Sequence, residues 1–160
     1  MAHRDHPWTD FVRKEAEPTA ASHRMRLQRE HDTAPERAIR HELFRMGYRY
    51  RVHLRPLAGL RREADIAFPR ARVAVFVHGC FWHGCLEHGT QARSNARFWR
   101  DKIARNRARD EETRLRLTEA GWTVFEIWEH EDAEAAANRL AVCVSGLRRA
   151  LSSRSAVDET

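Results

Sequence analysis

Apolar positions recur along this chain with two different periods, and the places where the period changes mark its elements. In HDTAPERAIRHELFRMG, Ile39, Leu43 and Met46 return at helical spacing. Thr33 followed by Glu36 predicts a capping box, Pro35 suits an early helical position, and Gly47 suits a stop. YRYRVHL alternates aromatic or apolar residues with basic ones, as a half-exposed strand does. RPLAGLRR reads as a loop. EADIAFP and RVAVFVH predict two further strands, joined by a turn around Pro69, Arg70 and Ala71. The second is apolar on both faces, which predicts a central strand. Residues 78–93 form a loop rich in His, Cys and Gly. A long helix is expected from about Ser94 to Ala120, ended by Gly121. WTVFEIW is a fourth strand, and residues 131–151 form a final amphipathic helix. The order predicts an α/β fold, a mixed sheet covered by helices.

The polar stretch 1–22, with Pro7 and Pro18, reads as a flexible arm ahead of a single domain over 23–151. SSRSAVDET, residues 152–160, reads as a disordered tail. The 160 residues suit one domain with a real core. No run approaches the roughly 18 apolar residues of a membrane span. The N-terminus lacks the apolar core of a signal peptide, so a cytoplasmic protein is expected.

Composition changes this picture in two ways. The formal charge is +6, and only Lys14 and Lys102 among the basic residues are lysine. That excess points to an anionic partner, nucleic acid being the commonest, although a GC-rich genome also enriches arginine. Three cysteines are an odd number, which argues against a disulfide framework and leaves metal binding or catalysis.

The chemistry concentrates in RVAVFVHGCFWHGCLEHG. Cys80, Cys85 and His88 lie close together on one loop, a spacing that suits tetrahedral zinc. His130 directly follows WTVFEIWE and is the expected fourth ligand; Cys143, in apolar LAVCVSGL, reads as a core thiol. Asp65 sits inside a strand, where Asp is disfavoured and a buried carboxylate needs a partner. With His78 and His83 at the end of the next strand, it fits Mg²⁺-assisted phosphodiester hydrolysis. Phe81 and Trp82 are candidates for stacking on bases, or for a small satellite core around the zinc. In the long helix, Ile103, Asn106, Asp110, Thr113 and Leu117 share one stripe, either facing a polar site or forming a solvated edge.

Taken together, FVHGCFWH, ADIAF, FWRDKIARNRARD and AGWTVFEIWE resemble the very-short-patch-repair (Vsr) DNA mismatch endonucleases. The similarity extends upstream through MRLQREHDTAPERAIRHELFRMGYRYRV and covers roughly residues 22–131. The resemblance implies a restriction-endonuclease-like fold with a structural zinc. It implies Mg²⁺-dependent nicking of one strand of double-stranded DNA next to a T:G mismatch left by deamination of 5-methylcytosine. By the same resemblance, Asp65 and the Val77 carbonyl bind Mg²⁺ and His83 activates water. His78 assists at the phosphate, Glu36 lies near the centre, and Met25, Phe81 and Trp82 enter the DNA stack. A monomer is implied, in the prokaryotic cytoplasm at the nucleoid, with repair or methyltransferase proteins as possible partners.

Two departures stand out. The family's zinc ligands usually run Cys, His, Cys, Cys, whereas here they run Cys80, Cys85, His88, His130, with the third displaced by one residue. The stretch after His83 also lacks the usual His-rich run, in a loop that lies near DNA in the family. Two further readings therefore stay open: a nickase or restriction factor acting on a modified or unmodified sequence without a mismatch, and a zinc-stabilised DNA-binding module without catalysis.

Overall fold

In a computed structural model, residues 31–88 and 95–157 are described. Met25, the arm over 1–22, and residues 89–94 and 158–160 lie outside the described residues. Helix α1 spans Ala34–Arg45, α2 spans Ala96–Glu119 and α3 spans Ala133–Val157. Strands β1 (Arg51–Leu54), β2 (Ala64–Phe68), β3 (Val73–His78) and β4 (Thr123–Trp128) form one sheet in the order β1-β2-β3-β4. The pairings β1–β2 and β2–β3 are antiparallel and β3–β4 is parallel. The mixed sheet and its helices match the expected α/β architecture.

Side-chain alternation along the strands divides the core. Ile66, Phe68, Val73, Val75 and Ile127 bury one face of the sheet against Ile39 and Leu43 of α1 and Ala136, Leu140 and Val144 of α3. Each fully buried side chain of this size contributes about 1.5–3 kcal/mol. Ala67 and Ala74 face the other way, toward Leu117 of α2 and Leu60 of the loop. Small residues here let α2 approach closely, and β3, apolar on both faces, is an interior strand as predicted. A short 3-10 turn, Pro69–Ala71, joins β2 to β3, with Arg72 in the left-handed region.

Three expectations need adjustment. YRYRVHL is a strand only from Arg51, because the two tyrosines before it serve the helices. The Tyr48 hydroxyl meets Ser145 at 2.6 Å, and the Tyr50 hydroxyl donates to the Arg40 carbonyl at 3.0 Å. The capping box forms only in part. Thr33 donates its hydroxyl to the Glu36 carboxylate (2.8 Å) instead of capping the helix, and that carboxylate reaches back to the Asp32 N–H (2.9 Å). The last helix runs on to Val157 instead of ending near 151. Among the described residues, no helix is long and apolar enough to cross a membrane.

Candidate active site

Parallel pairing of β3 with β4 continues to His78 opposite Trp128, so the chain leaves both strands at the same end of the sheet. The Glu129 N–H donates to the His78 carbonyl at 2.9 Å, and the Glu129 carboxylate accepts the Cys80 N–H at 2.7 Å. These bonds tie the loop after β3 to the turn after β4 and bring His130 to the cysteines. The Cys80 sulfur lies 3.0 Å from His130 Nδ1 and the Cys85 sulfur 3.8 Å from it. The ligand atoms of Cys80, Cys85, His88 and His130 all lie within 4.8 Å of one another. Burial, reinforced by Cys85 and Glu129, pushes the Cys80 thiol up to about 11. A dication would reverse that sign, since metal binding favours thiolates. Two sulfurs and two imidazole nitrogens form a donor set that fits tetrahedral zinc. Cys143 is half-buried within α3 and stands outside this group.

Asp65 is on an interior strand, and among the described residues no arginine holds its carboxylate. Its Oδ2 accepts the Val77 N–H at 2.7 Å. Burial dominates its electrostatics and pushes the carboxyl up to about 6; the nearby Glu36 charge adds to this, while the Val77 N–H, His53 and His78 oppose it. Glu36 is itself buried, 3% exposed, with both carboxylate oxygens engaged at the start of α1. A buried carboxylate against the Val77 main chain fits Mg²⁺, which takes few protein ligands and completes its shell with water and substrate phosphate.

Ala74, Phe76 and His78 alternate onto the α2 side of β3. His78 is buried, its ring 4.4 Å from that of His83, and its Nε2 lies 3.5 Å from Glu126. The His78 contact holds the Glu126 carboxyl below its usual range. His83 Nδ1 is 2.6 Å from the Asp110 carboxylate on α2. The polar stripe on α2 therefore does face a site. Asp110 meets His83, and the Asn106 amide donates to the Trp82 carbonyl at 2.9 Å. Thr113 and Leu117 complete the stripe as buried positions. Gly84 makes this docking possible. It has φ +64°, and a Cβ there would lie 2.8 Å from Ile103 of α2. A cavity of about 80 Å³ opens beside His78 and Asp110, lined also by Phe76, Thr113, Val124 and Glu126.

Phe81 and Trp82 are neither free nor buried as a satellite core. They are half-exposed and pack edge-to-face with each other and with Trp99 of α2. The Lys102 ammonium lies over the rings of Trp82 and Trp99, 4.8 and 5.3 Å from their centroids. Arg97, Arg100, Arg105, Arg107 and Arg109 are exposed along the same helix.

A family model described as DNA mismatch endonuclease Vsr matches residues 14–88. The type II nicking enzyme V.NaeI of Lentzea aerocolonigenes is 44% identical over 72% of this chain and 70% of its own length. The type II nicking enzyme V.XorIIP of Xanthomonas oryzae is 39% identical over 71% of this chain and 82% of its own. The DNA mismatch endonuclease Vsr of Escherichia coli is 36% identical over 68% of both. The chain belongs to the Vsr DNA mismatch endonuclease family. It is a DNA endonuclease of the strand-nicking kind, and DNA is its substrate.

Within this Vsr-family enzyme, Glu36, Asp65, Val77, His78 and His83 converge on one end of the sheet, next to the Cys80, Cys85, His88 and His130 group. Met25 lies outside the described residues. Sequence reasoning left Asp110 and Asn106 without assigned roles and did not single out Trp99, Lys102, Glu129 or His53. The helical stripe signalled the first two. His53 was legible only through strand register: Val52 pairs with Ile66 and Leu54 with Ala64, which sets His53 opposite Asp65.

Proposed function

We propose that this nicking endonuclease hydrolyses one DNA strand with Mg²⁺ next to a T:G mismatch, as in very short patch repair of deaminated 5-methylcytosine. The observation that carries the reading is the His83–Asp110 pair at 2.6 Å, set beside His78 in a site whose carboxylate is Asp65. Asp65 and the Val77 carbonyl would hold Mg²⁺. When bound, the ion supplies stabilisation of charge developing on the phosphate. Asp110 fixes the tautomer of His83 and supports its positive charge, leaving Nε2 to take a proton from the attacking water. His78 hydrogen-bonds at the phosphate, and Glu36 adds negative charge beside Asp65. Cys80, Cys85, His88 and His130 would hold a structural zinc that fixes the loop carrying Phe81, Trp82 and His83.

Phe81 and Trp82, extended by Trp99, form the aromatic wedge, and Met25 is read as its counterpart outside the described residues. A mismatch favours such a wedge because its stack is cheaper to open. Exposed arginines on α2 hold the phosphate backbone, so binding falls steeply with salt. The restriction-endonuclease-like fold, a monomeric working unit, the prokaryotic cytoplasm at the nucleoid, and repair or methyltransferase partners belong to the same reading.

Two observations favour a second reading. V.NaeI and V.XorIIP are named type II nicking enzymes, and GCLEHG departs from the family pattern near the wedge. Under that reading the enzyme nicks a modified or unmodified sequence without a mismatch. A non-catalytic DNA-binding module is disfavoured by the family and by the assembled Asp65, His78 and His83. Labelled duplexes carrying T:G, methylated C:G or plain C:G at otherwise identical sites separate the two catalytic readings. The mismatch reading predicts rapid nicking of T:G alone; equal rates on plain C:G would establish the second.

A further inference from the structure

His53 is not used by the chemistry above, yet its surroundings are unusual. Its backbone is left-handed, φ +49°, in the middle of β1. Strain of that kind persists where the surrounding structure enforces it. Both ring nitrogens are shielded from solvent and lack a hydrogen-bond partner among the described residues. Nε2 points toward Asp32 Oδ1 at 3.5 Å, a long ion-paired contact. The His31 ring stands edge-on at 4.5 Å between centroids. His31, His53 and Glu63 place ligand atoms within 4.8 Å of one another. The groups around His53 are acidic on balance: Asp32, Glu36, Glu63 and Asp65 against Arg40 and Arg55.

We propose that His31, His53 and Glu63 form a second metal site, for a divalent transition ion of the zinc, cobalt or nickel type. Two imidazoles and one carboxylate are the donors such ions prefer over Mg²⁺. An ion there gives the shielded nitrogen of His53 the partner it lacks. Asp32, facing the other nitrogen, is the outer carboxylate that commonly orients a ligating imidazole. Arg55 already holds Glu63 Oε1 at 3.0 Å and leaves Oε2 for the ion. The alternative set of Asp32, Glu36 and His53 is less available. Glu36 is spent on the start of α1, and Asp32 is held by Arg40 at 2.6 Å. The bound ion would lie next to the strand position opposite Asp65.

Titration of the full-length protein with Co²⁺, followed by absorption, tests this. An ion at the Cys80–Cys85–His88–His130 group gives a thiolate-to-cobalt charge-transfer band. An ion at His31–His53–Glu63 gives ligand-field bands only, so the two sites succeed or fail separately. The wild type is expected to bind one thiolate-free Co²⁺ per chain. His31→Gln, an exposed change that spares the core, and Glu63→Gln are expected to weaken it by about tenfold or more, the loss typical of even outer partners. Absence of thiolate-free binding in the wild type overturns the proposal. So does binding that survives His31→Gln unchanged or disappears only in Asp32→Asn.

Discussion

Replacing Asp65 by Asn is predicted to make the metal-free enzyme more stable while abolishing its activity. Burial raises the Asp65 carboxyl from 3.8 to about 6. A group raised in the folded state favours folding while it is protonated, below its unfolded value, and loses that advantage as pH climbs through the folded value. Above about 6 the ionised carboxylate therefore costs folding free energy, about 3 kcal/mol for this shift. Near pH 4.5 the same relation leaves about 1 kcal/mol. Asn keeps an oxygen to accept the Val77 N–H but carries no charge. Urea unfolding in EDTA should show Asp65→Asn more stable than wild type by up to about 3 kcal/mol near pH 7.5. That corresponds to roughly 6–12 °C in melting temperature. The gain should shrink toward about 1 kcal/mol near pH 4.5. A variant no more stable than wild type at neutral pH, or one with the same gain at both, would refute the claim that Asp65 is a desolvated charge awaiting a cation.

Other predictions concern neighbouring parts of the site. His83→Ala should lower single-turnover nicking by about 10²–10⁴; Asp110→Asn should lower it too, with DNA binding retained in both. Comparable rates in His83→Ala and wild type would remove the proton-transfer role. Gly84→Ala should cost about 1–3 kcal/mol, because it combines a left-handed φ with a 2.8 Å approach to Ile103; calorimetry showing no loss would mean the loop and α2 are not docked this way. His130→Ala should lose bound zinc and Cys143→Ala should keep it, as measured by metal analysis after gel filtration. The reverse pattern would displace His130 from the ligand set.

The sheet was legible because its strands are short apolar runs bounded by strong breakers. β3, apolar on both faces, announced its central place, and the polar tail of its apolar run marked the site. His130 was singled out because it directly follows WTVFEIWE, and the parallel register of β3 with β4 is what carries it to the loop after β3. The parts that were not legible depend on contacts distant in sequence. Tyr48 looks like a strand residue until its hydroxyl finds Ser145 on α3, and β1 shortens accordingly. Glu36 looks like a capping partner, but its burial makes it an electrostatic neighbour of Asp65. Phe81 and Trp82 invited a choice between exposed wedge and core, whereas Trp99, reached only through the packing of α2, leaves them half-covered. His53 carries no periodic signal, and only register and backbone geometry set it opposite Asp65.

The central claim is a Mg²⁺-dependent, single-strand cut made at Asp65. Its most direct test is single-turnover nicking of a T:G duplex with each strand separately labelled, using wild type and Asp65→Asn, in Mg²⁺ and in EDTA. The account predicts cleavage of one strand by wild type in Mg²⁺, and none in EDTA or with Asp65→Asn. Cutting that persists in EDTA, or an Asp65→Asn enzyme that nicks at the wild-type rate, would contradict it.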